Sequence, residues 1–532
     1  MRGNKRLTGS KMMYEVGILA SNVVEFVSCP RKLMDIKALE EEISKFIYEL
    51  ENEDRLVRVG LKDNSESSKV YKKYSKLFSK EILSKIRLEI AKGSGGAKGL
   101  QRDLFERIYT TLVSSYIGLQ LASDSDKITT YFSGASVSVL SDKIPYFQLS
   151  SKISKEPIYD KRELYDDAAA SVVAKINSKK LELLKAEIKL MKELGYSSYI
   201  SFYTITKKVD YPKFYKIVAK TKKDTDKVWQ NTIGKVSKEV LKREFVKIKS
   251  CHLTYLRSLS MYDNYYPVEK VVTTFEKWTR DIGLFPLLKN IKIDDVNRAK
   301  KNPRAVCYWP DPPTEIHLVI KPIGGEQDYE AVFHEGGHAL HGSAIDSALP
   351  YPLKALSYSN ALTETFAFVL EDLVFDPDFL TTYLNVSTFT GNKIKQQAYF
   401  VNLMMLRRYL GKFSYEYEMF KNGVFAKGPT LYAKNLQEAT GFISNKANWL
   451  SDMDGGFYSA DYLRAWIAAA QIKDYLVKRF GKRWFLNKKA GEFLRKLYSR
   501  GVTDEVEDVV KKLGYKPWDI SFLLQGYKEV LK

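Results

Sequence analysis

The chain has 532 residues, 45% of them hydrophobic and 13% aromatic, which is too apolar for a disordered polymer and long enough for two or three domains or one large two-lobed body. Lys and Arg outnumber Asp and Glu by 85 to 64, a formal charge of +21, yet the basic residues are interleaved with acidic ones, as in KLELLKAEIKLMKEL, and no arginine-rich run marks a nucleic-acid surface. Three scattered cysteines, Cys29, Cys251 and Cys307, without a CxxC pair, exclude a disulfide framework and a thiolate zinc site, so a reducing, cytoplasmic setting is expected.

The opening stretch MRGNKRLTGSKMMYEVGILASNVVEFV is basic and then apolar, but Glu15 and Glu25 interrupt the apolar part, and it reads as no signal peptide. No segment offers the roughly 20 uncharged apolar residues of a membrane helix, so no membrane partner is expected. The 3.6-residue apolar period then predicts helices near 32–58, 68–92, 101–122, 160–194, 225–260, 267–282, 390–421, 460–480 and 485–499. The fold class is mainly α. Within this run KGSGGAKG, from Lys92 to Gly99, lacks the GK[ST] ending of a phosphate-binding loop and reads as a connection between helices. The Ser- and Asp-rich stretch from Ala122 to Pro157 suggests a border, giving an N-terminal helical region over 1–155 and a second region over 156–532.

KNPRAVCYWPDPPTEIHLVIKPIGG breaks the helical pattern. Arg304 to Trp309 and Thr314 to Lys321 read as two strands around a proline turn, and the second alternates Glu315, His317 and Val319 against Ile316, Leu318 and Ile320. It leads into FHEGGHALH, which holds three of the five histidines of the chain. His334 and His338, four residues apart on a helix, can turn both imidazoles toward one small cation, and Glu335 lies where a general base reaches a metal-activated water without being a ligand. A catalytic zinc site takes a third protein ligand. His341 lies a further turn along and is assigned a supporting or packing role. In the apolar helix SNALTETFAFVLEDL, Glu364 is 26 residues after His338 and is read as the third ligand; Glu371, two turns on, is placed to support a ligand histidine. Gly336 and Gly337 each cost a helix about 1 kcal/mol relative to Ala, and their missing side chains are expected to let the Glu364 helix approach closely.

HEGGHALH followed by ETFAFVLE resembles the thimet oligopeptidase and oligopeptidase F family of zinc peptidases, with its HExGHxxH and ExxSxxxE patterns. The resemblance extends to NPRAVCYWPDPPTEIHLVIKP, to LGYSSYISFY (Leu194 to Tyr203) and to DGGFYSADYLRAW (Asp454 to Trp466), and covers roughly residues 160 to 525. It implies a two-lobed helical metallopeptidase fold with a small active-site sheet and a central substrate channel. It also implies one zinc ion on His334, His338 and Glu364, Glu335 as base and proton shuttle, and Tyr458 and Tyr462 as donors to the tetrahedral intermediate. The strand Thr314 to Lys321 is expected to pair with an extended oligopeptide substrate through an open edge. The chain departs from the family pattern in two places: no histidine follows His341, Asp452 standing near the place of a family histidine, and Ala367 replaces the Ser of ExxS. The implied function is hydrolysis of short unstructured peptides. Alternatives are carboxypeptidase action, with Arg464 pairing a substrate carboxylate, and a non-catalytic basic zinc-containing protein that binds nucleic acid.

Overall fold

Helical periodicity governs the chain, and the computed structural model, which describes residues 35–92, 96–258, 260–298, 300–302 and 304–531, is mainly α with two small sheets. The reading of the N-terminal stretch through residue 34 and the middle of KGSGGAKG, residues 93–95, lie outside the described residues, and helices end at Lys92 and begin at Gly96 on either side. Ile36–Lys532 form one compact unit. Among the described residues no helix is long and apolar enough to cross a membrane.

Most expected helices are present with shifted ends, and the boundaries follow local chemistry. The helix expected over 225–260 instead spans Tyr211–Val236: the Asp210 carboxylate accepts from the Lys213 N–H, and Pro212 occupies the first turn, where its missing N–H costs nothing. Beyond a short π turn at Ser237–Leu241 the chain reverses through Lys242 at φ 56° before the separate helix Cys251–Arg257. The expected border holds a helix running on to Gly134 and an antiparallel hairpin of β1 (Ser136–Val139) and β2 (Asp142–Pro145).

The second sheet has three strands, β3 (Ile291–Asp294), β4 (Val306–Asp311) and β5 (Glu315–Val319), in the order β3-β5-β4. β5 pairs antiparallel with β4 (Val306 opposite Val319) and parallel with β3 (Ile291 opposite Ile316). This corrects the expectation of an open edge on Thr314 to Lys321: both edges of β5 are paired, and β4 carries the edge beside the histidines. The pairing shifts register between Tyr308 and Asp311 and resumes with Asp311 opposite Glu315.

Four helices stack from this sheet into the core. The histidine helix, Glu326–Ala344, packs on β4 and β5 and then on the Glu364 helix, Ala361–Glu371. The Glu364 helix packs in turn on the tyrosine helix, Tyr458–Phe480, which lies against the long helix Thr388–Asn422. Leu362, Phe366, Val369 and Leu370 of the Glu364 helix are all buried, each stabilising the layer by about 1.5–3 kcal/mol. This apolar packing fixes the helix that carries Glu364 and Glu371.

Candidate active site

Close approach at three glycines sets the position of the histidine helix. A Cβ on Gly342 would lie 2.7 Å from the Trp309 ring on β4. One on Gly337 would lie 2.7 Å from the Ala367 Cα and 3.0 Å from the Phe366 carbonyl oxygen, both main-chain atoms of the Glu364 helix. One on Gly336 would meet the Phe275 ring at 2.5 Å. The expectation for the glycine pair thus holds for Gly337, whereas Gly336 clears Phe275 of the helix Val271–Ile282.

This approach brings His334, His338 and Glu364 together, with one ligand atom from each lying within 4.8 Å of the others. Glu364 Oε2 faces His334 Nε2 at 3.3 Å and His338 Nε2 at 3.7 Å, and it is buried without a hydrogen-bond partner. Burial opposes its charge, but the two imidazoles outweigh this and hold its carboxyl well below the usual range. An anionic oxygen buried against two ring nitrogens is expensive unless a cation completes the group. The donor set fits a divalent metal of zinc type. On the far side of the ring, His334 Nδ1 lies 2.6 Å from Glu371 Oε2, which fixes the ring and leaves Nε2 for a metal.

The other predicted residues divide between the site and its surroundings. Glu335 lines a cavity of about 620 Å³ together with His334, His338, Glu364, Tyr458 and Tyr462. The Tyr458 hydroxyl donates to Glu364 Oε1 at 2.5 Å, and the Tyr462 ring lies 4.9 Å from that of Tyr458. The loop that aims Tyr458 depends on Gly456 at φ 65°: its N–H donates to the Tyr199 hydroxyl at 2.8 Å, and a Cβ would meet the Tyr203 ring at 2.9 Å. LGYSSYISFY and DGGFYSADYLRAW, remote in sequence, therefore meet in space. His341 is fully buried, and burial pushes its pKa down to about 3; neutral, it donates from Nε2 to the Gly501 carbonyl at 3.2 Å, as a packing residue.

Two residues lie elsewhere. Arg464 is 2% exposed and bound to Glu507 at 2.7 Å and Asp461 at 3.2 Å, so it joins helices and does not face the cavity. Asp452 is paired with Arg408, with Lys412 at 3.4 Å and with the Tyr432 hydroxyl at 2.8 Å, outside this cavity. Sequence reasoning missed Glu51, Arg58, Arg304 and Cys307 of the same lining. Arg304 and Cys307 stood within a strand already singled out. Glu51 and Arg58 carried no signal beyond an ordinary amphipathic helix.

No family model matches the sequence, and no curated protein matches it. Among solved structures, a protein of Bacillus anthracis str. Ames provisionally named an oligoendopeptidase F aligns over 96% of this chain and 98% of its own, with TM-score 0.61 and 15% identity. A structure described as PZ peptidase A with an inhibitor aligns over 95% of this chain and 98% of its own, with TM-score 0.64 and 13% identity. The chain thus has, over nearly its whole length, the mainly helical fold of these two proteins.

Proposed function

We propose that the protein is a zinc-dependent oligopeptidase that hydrolyses peptide bonds of short unstructured peptides. The observation that carries this reading is the buried, unpartnered Glu364 Oε2 facing His334 and His338, in a cavity that also contains Glu335 and lies beside the β4 edge. Names of the two proteins that share the fold point the same way.

In this reading His334, His338 and Glu364 hold one zinc ion. Zinc in such a site lowers the pKa of water to about 7 and polarises the peptide carbonyl. Glu335 takes the proton of the attacking water and returns it to the leaving amine. The hydroxyls of Tyr458 and Tyr462 donate to the developing oxyanion, with Tyr458 leaving Glu364 Oε1 to do so. The substrate backbone pairs with β4. The region over 1–155 supplies one wall of the cavity through Ile47, Glu51, Arg58 and Thr111, and that over 156–532 supplies the ligands, the base and the tyrosines. Cys251 and Cys307 are free thiols, in keeping with a cytoplasmic setting. Arg464 is consumed by Glu507 and Asp461, so the carboxypeptidase variant has lost the residue that suggested it.

The decisive test is Glu335→Gln with zinc content measured beside peptide hydrolysis. Tyr458→Phe separates oxyanion donation from support of Glu364. Loss of one oxyanion donor is expected to lower kcat about 10²–10³-fold, or about 2.7–4 kcal/mol, with zinc affinity nearly unchanged. A variant that loses zinc in proportion to activity would make Tyr458 a support of Glu364 alone. Glu371→Ala removes the partner of His334 Nδ1 and is expected to weaken zinc binding 10- to 100-fold in a chelator competition. Parental zinc affinity would remove Glu371 from the site.

A further inference from the structure

The edge that this reading gives to the substrate is already occupied at one point. The Trp309 N–H, pointing away from β5, donates to Glu51 Oε2 at 2.7 Å, from the helix Ile36–Arg58 that packs along β4. By strand alternation the main chain of Cys307 faces the same side. Cys307 and Glu335 line the same cavity, so this part of the edge lies beside the base. A peptide pairing at Cys307 therefore meets Glu51 within about one further residue pair, a distance of roughly 7 Å.

The two ends of this edge carry opposite charges. Glu51 stands at Trp309, and Arg304, an exposed residue whose charge acts on Tyr462, stands just before Val306. Antiparallel pairing, the commoner arrangement, would point the amino end of a peptide at Glu51 and its carboxyl end at Arg304. Glu51 takes the Trp309 N–H on Oε2, and the Tyr351 hydroxyl, which feels the Glu51 charge, is buried without a partner. We infer that Glu51 is a specificity-determining residue that ends the substrate-binding edge and receives the free α-ammonium group of a short peptide. Burial pushes the Glu51 carboxyl up to about 7, so its charge is costly without a cation and a bound ammonium relieves that cost.

The inference rests on the peptidase reading, and its test is kept separate by measuring binding. Alanine pentapeptide and its N-acetylated form are titrated into zinc-loaded Glu335→Gln protein and into the same protein carrying Glu51→Gln, where the amide oxygen still accepts from Trp309. The free-amine peptide is expected to bind at least about tenfold more tightly when Glu51 is present, and the ratio should fall below about twofold without it. Each ratio comes from one protein preparation, so a partly unfolded fraction cancels. Equal affinities in the presence of Glu51, a preference that survives Glu51→Gln, or binding of neither peptide would overturn the assignment. Hydrolysis of the acetylated peptide by the parent protein judges the peptidase reading on its own.

Discussion

Glu335→Gln is expected to lower kcat for peptide hydrolysis at least about a thousandfold, equivalent to about 4 kcal/mol, while zinc stays bound at one equivalent per chain. The group proposed to hold the metal is His334, His338 and Glu364 and does not include Glu335, so removing its charge leaves all three donors in place. The Gln side chain has nearly the same shape and can still hydrogen-bond a water, but it cannot accept the proton. Glu335 serves twice in the proposed reaction, first as base and then as the acid that protonates the leaving amine, so both steps slow. Metal content and turnover must be measured on the same sample. Parental turnover at full zinc occupancy would remove Glu335 as the base; loss of zinc together with turnover would make it a ligand.

How legible this site was depended on whether each relation was local. The four-residue spacing of His334 and His338 and the seven-residue spacing of Glu364 and Glu371 are helix geometry, and both hold in space. Tyr458 and Tyr462, also four apart, share a face and enter the same cavity. Arg464, offered as a partner for a substrate carboxylate, lies two positions after Tyr462, on another side of the helix, and is buried against Glu507. Strand order was not legible. β3 is four residues long and joins β5 in parallel across a connection that contains β4, so nothing local showed that it would take the other edge of β5. Glu51 was hidden for a related reason. Leu39, Ile43 and Phe46 announce the buried face of its helix, but its partner Trp309 lies 258 residues away. Only the folded sheet shows that this carboxylate closes the edge.

Gly337→Leu is expected to weaken zinc binding at least about a hundredfold and to lower the melting temperature, although leucine is the better helix former by almost 1 kcal/mol. The Cβ alone would come within 2.7 Å of the Ala367 Cα, and main chain inside a packed helix cannot swing aside. The histidine and Glu364 helices must then separate. Overpacking of this kind costs about 1–3 kcal/mol before the metal is considered. The separation acts directly on the site, because Glu364 lies on the displaced helix one turn before Ala367 and faces both imidazoles. Gly337→Ala gives a graded version with a clear sign: propensity alone predicts a gain in stability, contact with Ala367 predicts a loss, and the loss is expected. Gly336→Leu is the control, since its first collision is with the Phe275 side chain and not with the Glu364 helix. That variant should lose stability while keeping zinc affinity closer to the parent. If the Gly337 variants retain zinc as well as the parent, or if Gly336→Leu loses it equally, close approach of the Glu364 helix is not what these glycines provide.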